Sequence, residues 1–186
     1  MTSQPDTKVL ALPNAGSYRI DSVSSAITYT SRHMFGLGKV HARFSITSGR
    51  LEIGESLADS QASATIAAGS FASDNAKRDS DVKGPGLLDV ASFPLIEFTS
   101  TVAREDNLGI VLVGAVAMRG VAAPVQLLVL SWEAHSSDRI QVRARADHLD
   151  RYLFGITAAK GWVGRYFDLD LDVVAVRAMP GTPMEG

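Results

Sequence analysis

Four histidines, His33, His41, His135 and His148, are the chain's ready general acids, bases or metal ligands. None stands beside another histidine or a carboxylate at the i, i+4 spacing that puts two ligands on one helix face. His41 and His148 fall on the polar side of alternating segments and read as surface residues. His33 lies in Ser31-Arg32-His33-Met34-Phe35-Gly36, at a strand end where an imidazole can meet a polar head group. Asp168, Asp170 and Asp172 have the spacing of a calcium loop, but the turn-making glycine and terminal glutamate are missing. Leu169, Leu171 and Val173 hold that segment extended, so the carboxylates read as one solvated strand face. Gly36-Leu37-Gly38-Lys39 ends like a phosphate loop, yet Val40 stands where Ser or Thr is required. No Gly-x-Ser-x-Gly elbow supports a nucleophilic serine. The absence of cysteine removes disulfides, thiolate zinc sites and cysteine nucleophiles. What remains is Arg78-Asp79, which either pair with each other or leave Arg78 at a cavity entrance, offering several donors to a head group. Arg119, between two apolar runs, reads as a solvated hairpin charge.

The elements that must position these groups follow a period of two. Val40, Ala42, Phe44 and Ile46 alternate with polar residues, as do the segments 62–66, 96–98 and 140–146. Phe167, Leu169, Leu171 and Val173 alternate with the three aspartates. Residues 108–118 and 125–132 are apolar on both faces, as in strands covered on each side or facing a subunit interface. Turn signals at Ser48-Gly49, Glu105-Asp106-Asn107, Arg119-Gly120 and Ser136-Ser137-Asp138 separate the runs. About eight strands at short spacing predict an antiparallel sandwich or barrel. The segment 75–94 breaks the rhythm and reads as a short helical turn with a long loop.

The whole chain has 186 residues, with Lys+Arg 18 against Asp+Glu 20 and a net charge of −2. That length suits one domain burying roughly 70% of its unfolded surface. At 46% hydrophobic the chain is not a disordered one, and without basic blocks it lacks a nucleic-acid footprint. Its longest apolar stretch is about half the roughly 20 residues of a spanning helix. Residues 1–16 lack the apolar run of about seven to fifteen residues that a secretory signal needs, so a cytoplasmic location is expected. We expect flexible tails at 1–16 and 179–186, one domain at 17–178, and no metal or cofactor.

Taken together, the segments resemble the YceI-like family of polyisoprenoid-binding, lipocalin-like proteins. The resemblance runs from about Tyr18 to Val176. It rests on Tyr18-Arg19-Ile20-Asp21, Ile27-Thr28-Tyr29, Arg32-His33-Met34 and Val40-His41-Ala42-Arg43-Phe44. Further on it rests on Asn75, Arg78-Asp79, Leu87-Leu88-Asp89-Val90, Phe93-Pro94, Ile96-Glu97-Phe98, Gly114, Met118-Arg119-Gly120-Val121, Asp150-Arg151 and Phe154-Gly155-Ile156. The chain departs from the pattern at Ala42, where Gly is usual, at Leu87-Leu88, where two Phe are usual, and at Leu153, where an acid is usual.

The resemblance implies an extended eight-stranded antiparallel barrel enclosing an apolar channel. The channel would hold a polyisoprenoid, an isoprenoid quinone or a similar amphiphile, bound without catalysis and with its head near the mouth; homodimers are implied too. Tyr29, Phe44, Phe71, Leu87, Leu88, Phe93, Phe98 and Phe154 are the expected channel lining, and His33, Phe35, Arg78 and Asp79 the expected mouth. In a filled barrel the same apolar side chains would be core. Two other readings stay open at this point. One is an enzyme acting on an amphiphile through Arg78, Asp79 or His33; the other is a scaffold barrel for a protein partner.

Overall fold

A sheet with one apolar face can bury it by curling round until its edges meet. In the computed structural model, which describes residues 12–33 and 38–179 apart from the His33 side chain, ten strands and one helix do this. They are β1 (Gly16–Ile20), β2 (Ala26–His33), β3 (Gly38–Phe44), β4 (Ile46–Ile53), β5 (Gln61–Ala67), α1 (Ala76–Lys83), β6 (Leu95–Asp106), β7 (Gly109–Met118), β8 (Val121–Ser136), β9 (Arg139–Asp150) and β10 (Val163–Arg177). Each pairing is antiparallel. β1 lies between β10 and β4, and β2 lies between β10 and β3. β1 and β2 therefore share one position in the wall, as do β3 and β4, joined at Ser45. The result is a closed barrel of eight positions, the architecture expected from the sequence.

The break between β1 and β2 has a local cause. The Asp21 carboxylate accepts hydrogen bonds from the Val23 and Ser24 amides and the Ser24 hydroxyl, which turns the chain out of the ladder. The buried Ser25 hydroxyl then fills the gap, accepting from Val174 N–H at 2.9 Å and donating to Val174 C=O. No ladder group of Val174 is left unpaired in the interior, where that would cost about 1–3 kcal/mol.

Alternation sets what each strand buries. Val40, Ala42, Phe44 and Ile46 face inward, as do Ala123, Val125, Leu127 and Val129 of β8. Leu112, Val116 and Met118 of β7 point inward, which sends Val113 and Ala115 out, Val113 opposite the half-exposed Val102. The outer faces of β9 and β10 carry a cross-strand charge ladder. Asp172 meets Gln141 at 2.5 Å and Arg143 at 3.7 Å, and Arg145 lies within 4.0 Å of Asp168 and 3.7 Å of Asp170. The three aspartates are thus paired across strands rather than simply solvated. Among the described residues no cluster of three or more His, Asp or Glu is placed to hold a metal ion. No helix among them is long and apolar enough to cross a membrane.

The expected N-terminal tail is partly docked. Gly16 begins β1, Tyr18 donates its hydroxyl to Asn14 C=O, and Arg177 donates to Ala15 C=O. Residues 1–11 and 180–186 lie outside the described residues.

Two positions yield measurable consequences. Gly114 sits where the β6–β7 register shifts, and a Cβ there would lie 2.7 Å from the Ser100 Cα and closer still to the Thr99 carbonyl oxygen. Gly114→Val should therefore cost about 2 kcal/mol or more and lower Tm by several degrees. An unchanged Tm in thermal denaturation would contradict this close approach.

Asp150, at the end of β9, accepts from Arg165 at 2.7 Å and 3.0 Å and from the Tyr152 amide. The Arg165 hydrogen bond above all holds its carboxyl below the usual 3.8; Ser24 does the same for Asp21. A carboxyl with a lowered folded pKa stabilises above its unfolded value and loses that contribution as pH falls through the folded one. Asp150→Asn should thus destabilise at about pH 7, with the difference from wild type smaller at about pH 3, below the unfolded value. Denaturant titrations at both pH values check it, and an equal deficit at both would refute the assignment.

Candidate functional site

The barrel's own side chains do not fill it. A cavity of about 520 Å³ runs through the interior, inside the range of about 300–1,000 Å³ typical of small-molecule sites. Leu51, Phe98, Leu112, Val125, Leu127 and Val129 line the half remote from α1. These are inward positions of β4, β6, β7 and β8, placed by alternation alone. At the centre Tyr29, Phe44, Phe71 and Phe167 form an aromatic group, with ring centroids 5.2 Å apart for Tyr29–Phe167 and 5.3 Å for Phe44–Phe71. These edge and tilted contacts fix the rings' orientation.

The other end is built by α1 and the loop that follows. Asn75 caps α1, its side-chain oxygen accepting from the Arg78 amide at 2.9 Å. Beyond the helix, Leu88 N–H bonds to Val82 C=O and Asp89 N–H to Gly84 C=O, folding the chain so that Leu87 and Leu88 turn inward. Arg119 holds this loop from the β7–β8 turn, donating to Leu87 C=O at 3.1 Å and Pro85 C=O at 2.9 Å. It is therefore a structural clamp, not the solvated charge its hairpin position suggested. Two carbonyls of a glycine-rich loop needed a donor, and the turn supplies it.

Tyr29, Phe44, Phe71, Leu87, Leu88, Phe98, Phe154 and Arg78 all line the cavity. Phe93 does not. It packs on the β7–β8 turn, where a Cβ on Gly120 would come within 3.0 Å of its ring. Asp79 is also away from the cavity: its carboxylate accepts from the Ser73 amide at 2.9 Å and the Ser73 hydroxyl at 2.6 Å. The mutual Arg78–Asp79 pair does not form, because adjacent residues on a helix point in different directions. Arg78 instead donates to Ser73 at 3.4 Å. Phe35 and the His33 side chain lie outside the described residues.

Sequence reasoning missed the inward aliphatic residues of β8, which their period-two spacing could have revealed, and several polar lining groups, three of them large side chains outside α1. Arg32 and Trp162 stand at the α1 end, where Trp162 is 70% exposed. Arg151 is the third, only 4% exposed, donating to Gly164 C=O at 2.9 Å, Ile156 C=O at 2.6 Å and Val163 C=O at 3.2 Å. Burial draws its pKa below the usual arginine value. The same turn ends at Gly155, whose φ of 70° favours glycine, with Phe154 buried and Leu153 exposed. Burial also pushes the Tyr29 hydroxyl above its ordinary pKa, which keeps it a protonated donor, near Ser31. The arrangement is a long apolar space with cations and donors gathered at one end.

Comparison with known proteins places this geometry. A search of curated proteins finds no match. Among solved structures the chain is similar to BcnA of Burkholderia cenocepacia, with TM-score 0.69 and 17% identity over 83% of this chain and 98% of that one. It is similar to a polyisoprenoid binding domain from Saccharophagus degradans, implicated in plant cell wall breakdown, with TM-score 0.65 and 16% identity over 87% and 98%. It is also similar to the Campylobacter jejuni YCEI protein, with TM-score 0.55 and 14% identity over 96% and 94%. These likenesses show the fold. The YceI-like domain model matches residues 18–175, from the first barrel strand to the last, and the chain belongs to that family.

Proposed function

We propose that the chain binds, and thereby carries or sequesters, an isoprenoid lipid or a similar amphiphile without converting it. The observation that carries this reading is the open, apolar-lined cavity of about 520 Å³ inside the barrel. The name of the Saccharophagus degradans domain, a polyisoprenoid binding domain, supports the same ligand class here. Affinity needs no specific chemistry. Burying the five carbons of one isoprene unit gains roughly 4 kcal/mol at about 0.8 kcal/mol per carbon. Association costs about 4–15 kcal/mol. A few units therefore reach micromolar binding, about −8 kcal/mol. A catalytic reading loses one of its residues, since Asp79 is committed to Ser73 and lies away from the cavity.

The test is native mass spectrometry of freshly purified protein, with solvent extraction and addition of prenyl quinones. One lipid per chain is expected, recovered unchanged after long incubation. Leu127→Trp, which fills the remote half, should weaken binding about tenfold or more, since each lost CH₂ contact forfeits about 0.8 kcal/mol. Protein that is reproducibly empty and rejects added quinones would overturn the reading, and chemical conversion of the lipid would overturn its non-catalytic part.

The proposal includes a homodimer, supported by the outward apolar residues Val102, Val113 and Ala115, with the exposed Leu130 farther along β8. Sedimentation equilibrium should return twice the chain mass at micromolar concentration; a monomer throughout would remove this part.

A further inference from the structure

The polar residues of the cavity lining are unevenly charged. Arg32, Lys77, Arg78, Arg151 and Asp81 all lie on it. Lys77 and Asp81 neutralise each other across one helical turn at 3.2 Å. The other carboxylates nearby are already engaged. Asp150 is taken by Arg165 at 2.7 Å, and Asp79 by Ser73. Among the described residues, Arg32, Arg78 and Arg151 form no close ion pair with a carboxylate, and Asp150 acts on Arg151 only from a longer range. Arg151 is the most telling of the three. It is 4% exposed, its hydrogen bonds go to backbone carbonyls, and they engage three of the five N–H groups a guanidinium offers.

Cations gathered at one end of an otherwise apolar space, with Arg151 among them buried, interact with an anion more strongly than they would in bulk water. A guanidinium is also shaped for it, presenting parallel donors to the two oxygens of a carboxylate or phosphate. Resting on the reading of the cavity as a lipid site, we propose that its ligand is an anionic amphiphile. The phosphate or carboxylate head lies among Arg32, Arg78 and Arg151, and the hydrocarbon tail runs toward Phe98, Val125 and Leu127. The protonated Tyr29 hydroxyl adds a donor deeper along the same path. A neutral prenol or quinone would occupy the tail half and leave the arginines unmatched.

The experiment compares three ligands with the same C20 tail, geranylgeranyl phosphate, geranylgeranoic acid and geranylgeraniol, by titration calorimetry on the delipidated full chain. At least one acid should bind about tenfold or more tightly than the alcohol, the effect of one well-placed charged contact of about 1.4 kcal/mol. Whichever acid is preferred identifies the head, and either result supports the proposal. The double variant Arg32→Gln/Arg78→Gln should shrink the preference to about threefold or less, while Arg32→Lys/Arg78→Lys should keep most of it. Loss in both variants would indicate damaged packing instead of lost charge and would count against the proposal. An alcohol bound as tightly as both acids overturns the anionic head while leaving the lipid cavity intact. Failure of all three ligands to bind overturns both.

Discussion

An inward apolar face that the barrel's own side chains leave unfilled is the constraint from which the other features follow. Closing eight strand positions gives each strand except β3 two strand partners, and β3, paired with β2, adds an isolated bridge from Arg43 to Ala72. Closure also sends alternate side chains into one shared interior. On β8 these are Ala123, Val125, Leu127 and Val129, and on β10 Phe167, Leu169, Leu171 and Val173. Protein interiors are normally packed to crystal-like density. A space of about 520 Å³ lined by such residues therefore forgoes dispersion contacts that its lining could make, and a hydrocarbon tail restores them.

The irregularities of the fold keep the wall hydrogen-bonded and fasten one end of the interior. Where β1 breaks from β2, Ser25 replaces a backbone partner for Val174, so the wall stays hydrogen-bonded through a turn. At the α1 end regular strand pairing gives way to a helix, a loop and the turn carrying Arg151. Side chains do the fastening there: Asn75 caps α1, Arg119 clamps the loop, and Arg151 ties residues 156, 163 and 164 together. The apolar half of the cavity is made by ladders, and the polar half by side-chain to backbone bonds.

Much of the ladder-built half was legible in the sequence. A period of two over 40–46, 140–146 and 167–173 marks strands and their inward faces directly, because the pleat has that period. Barrel closure was legible only through the family resemblance, since alternation does not say which strands meet. The side-chain-built half was legible in outline alone. The loop 75–94 stands out by composition, but whether Phe93 or Leu88 turns inward depends on the β7–β8 turn, distant in sequence. Arg119 and Arg151 look like ordinary surface arginines. Their roles come from carbonyls that only the fold brings to them, 32 and 34 residues away for Arg119 and 5 to 13 for Arg151.

The central claim is that the tail of a bound amphiphile lies within the barrel and not on its apolar outer residues. Isotope-filtered NMR on the methyl-labelled chain with an unlabelled prenyl lipid reads this directly. The account predicts intermolecular NOEs from the tail to the methyl groups of Leu112, Val125 and Leu127. NOEs confined to Val102, Val113 and Leu130 on the outside would contradict it.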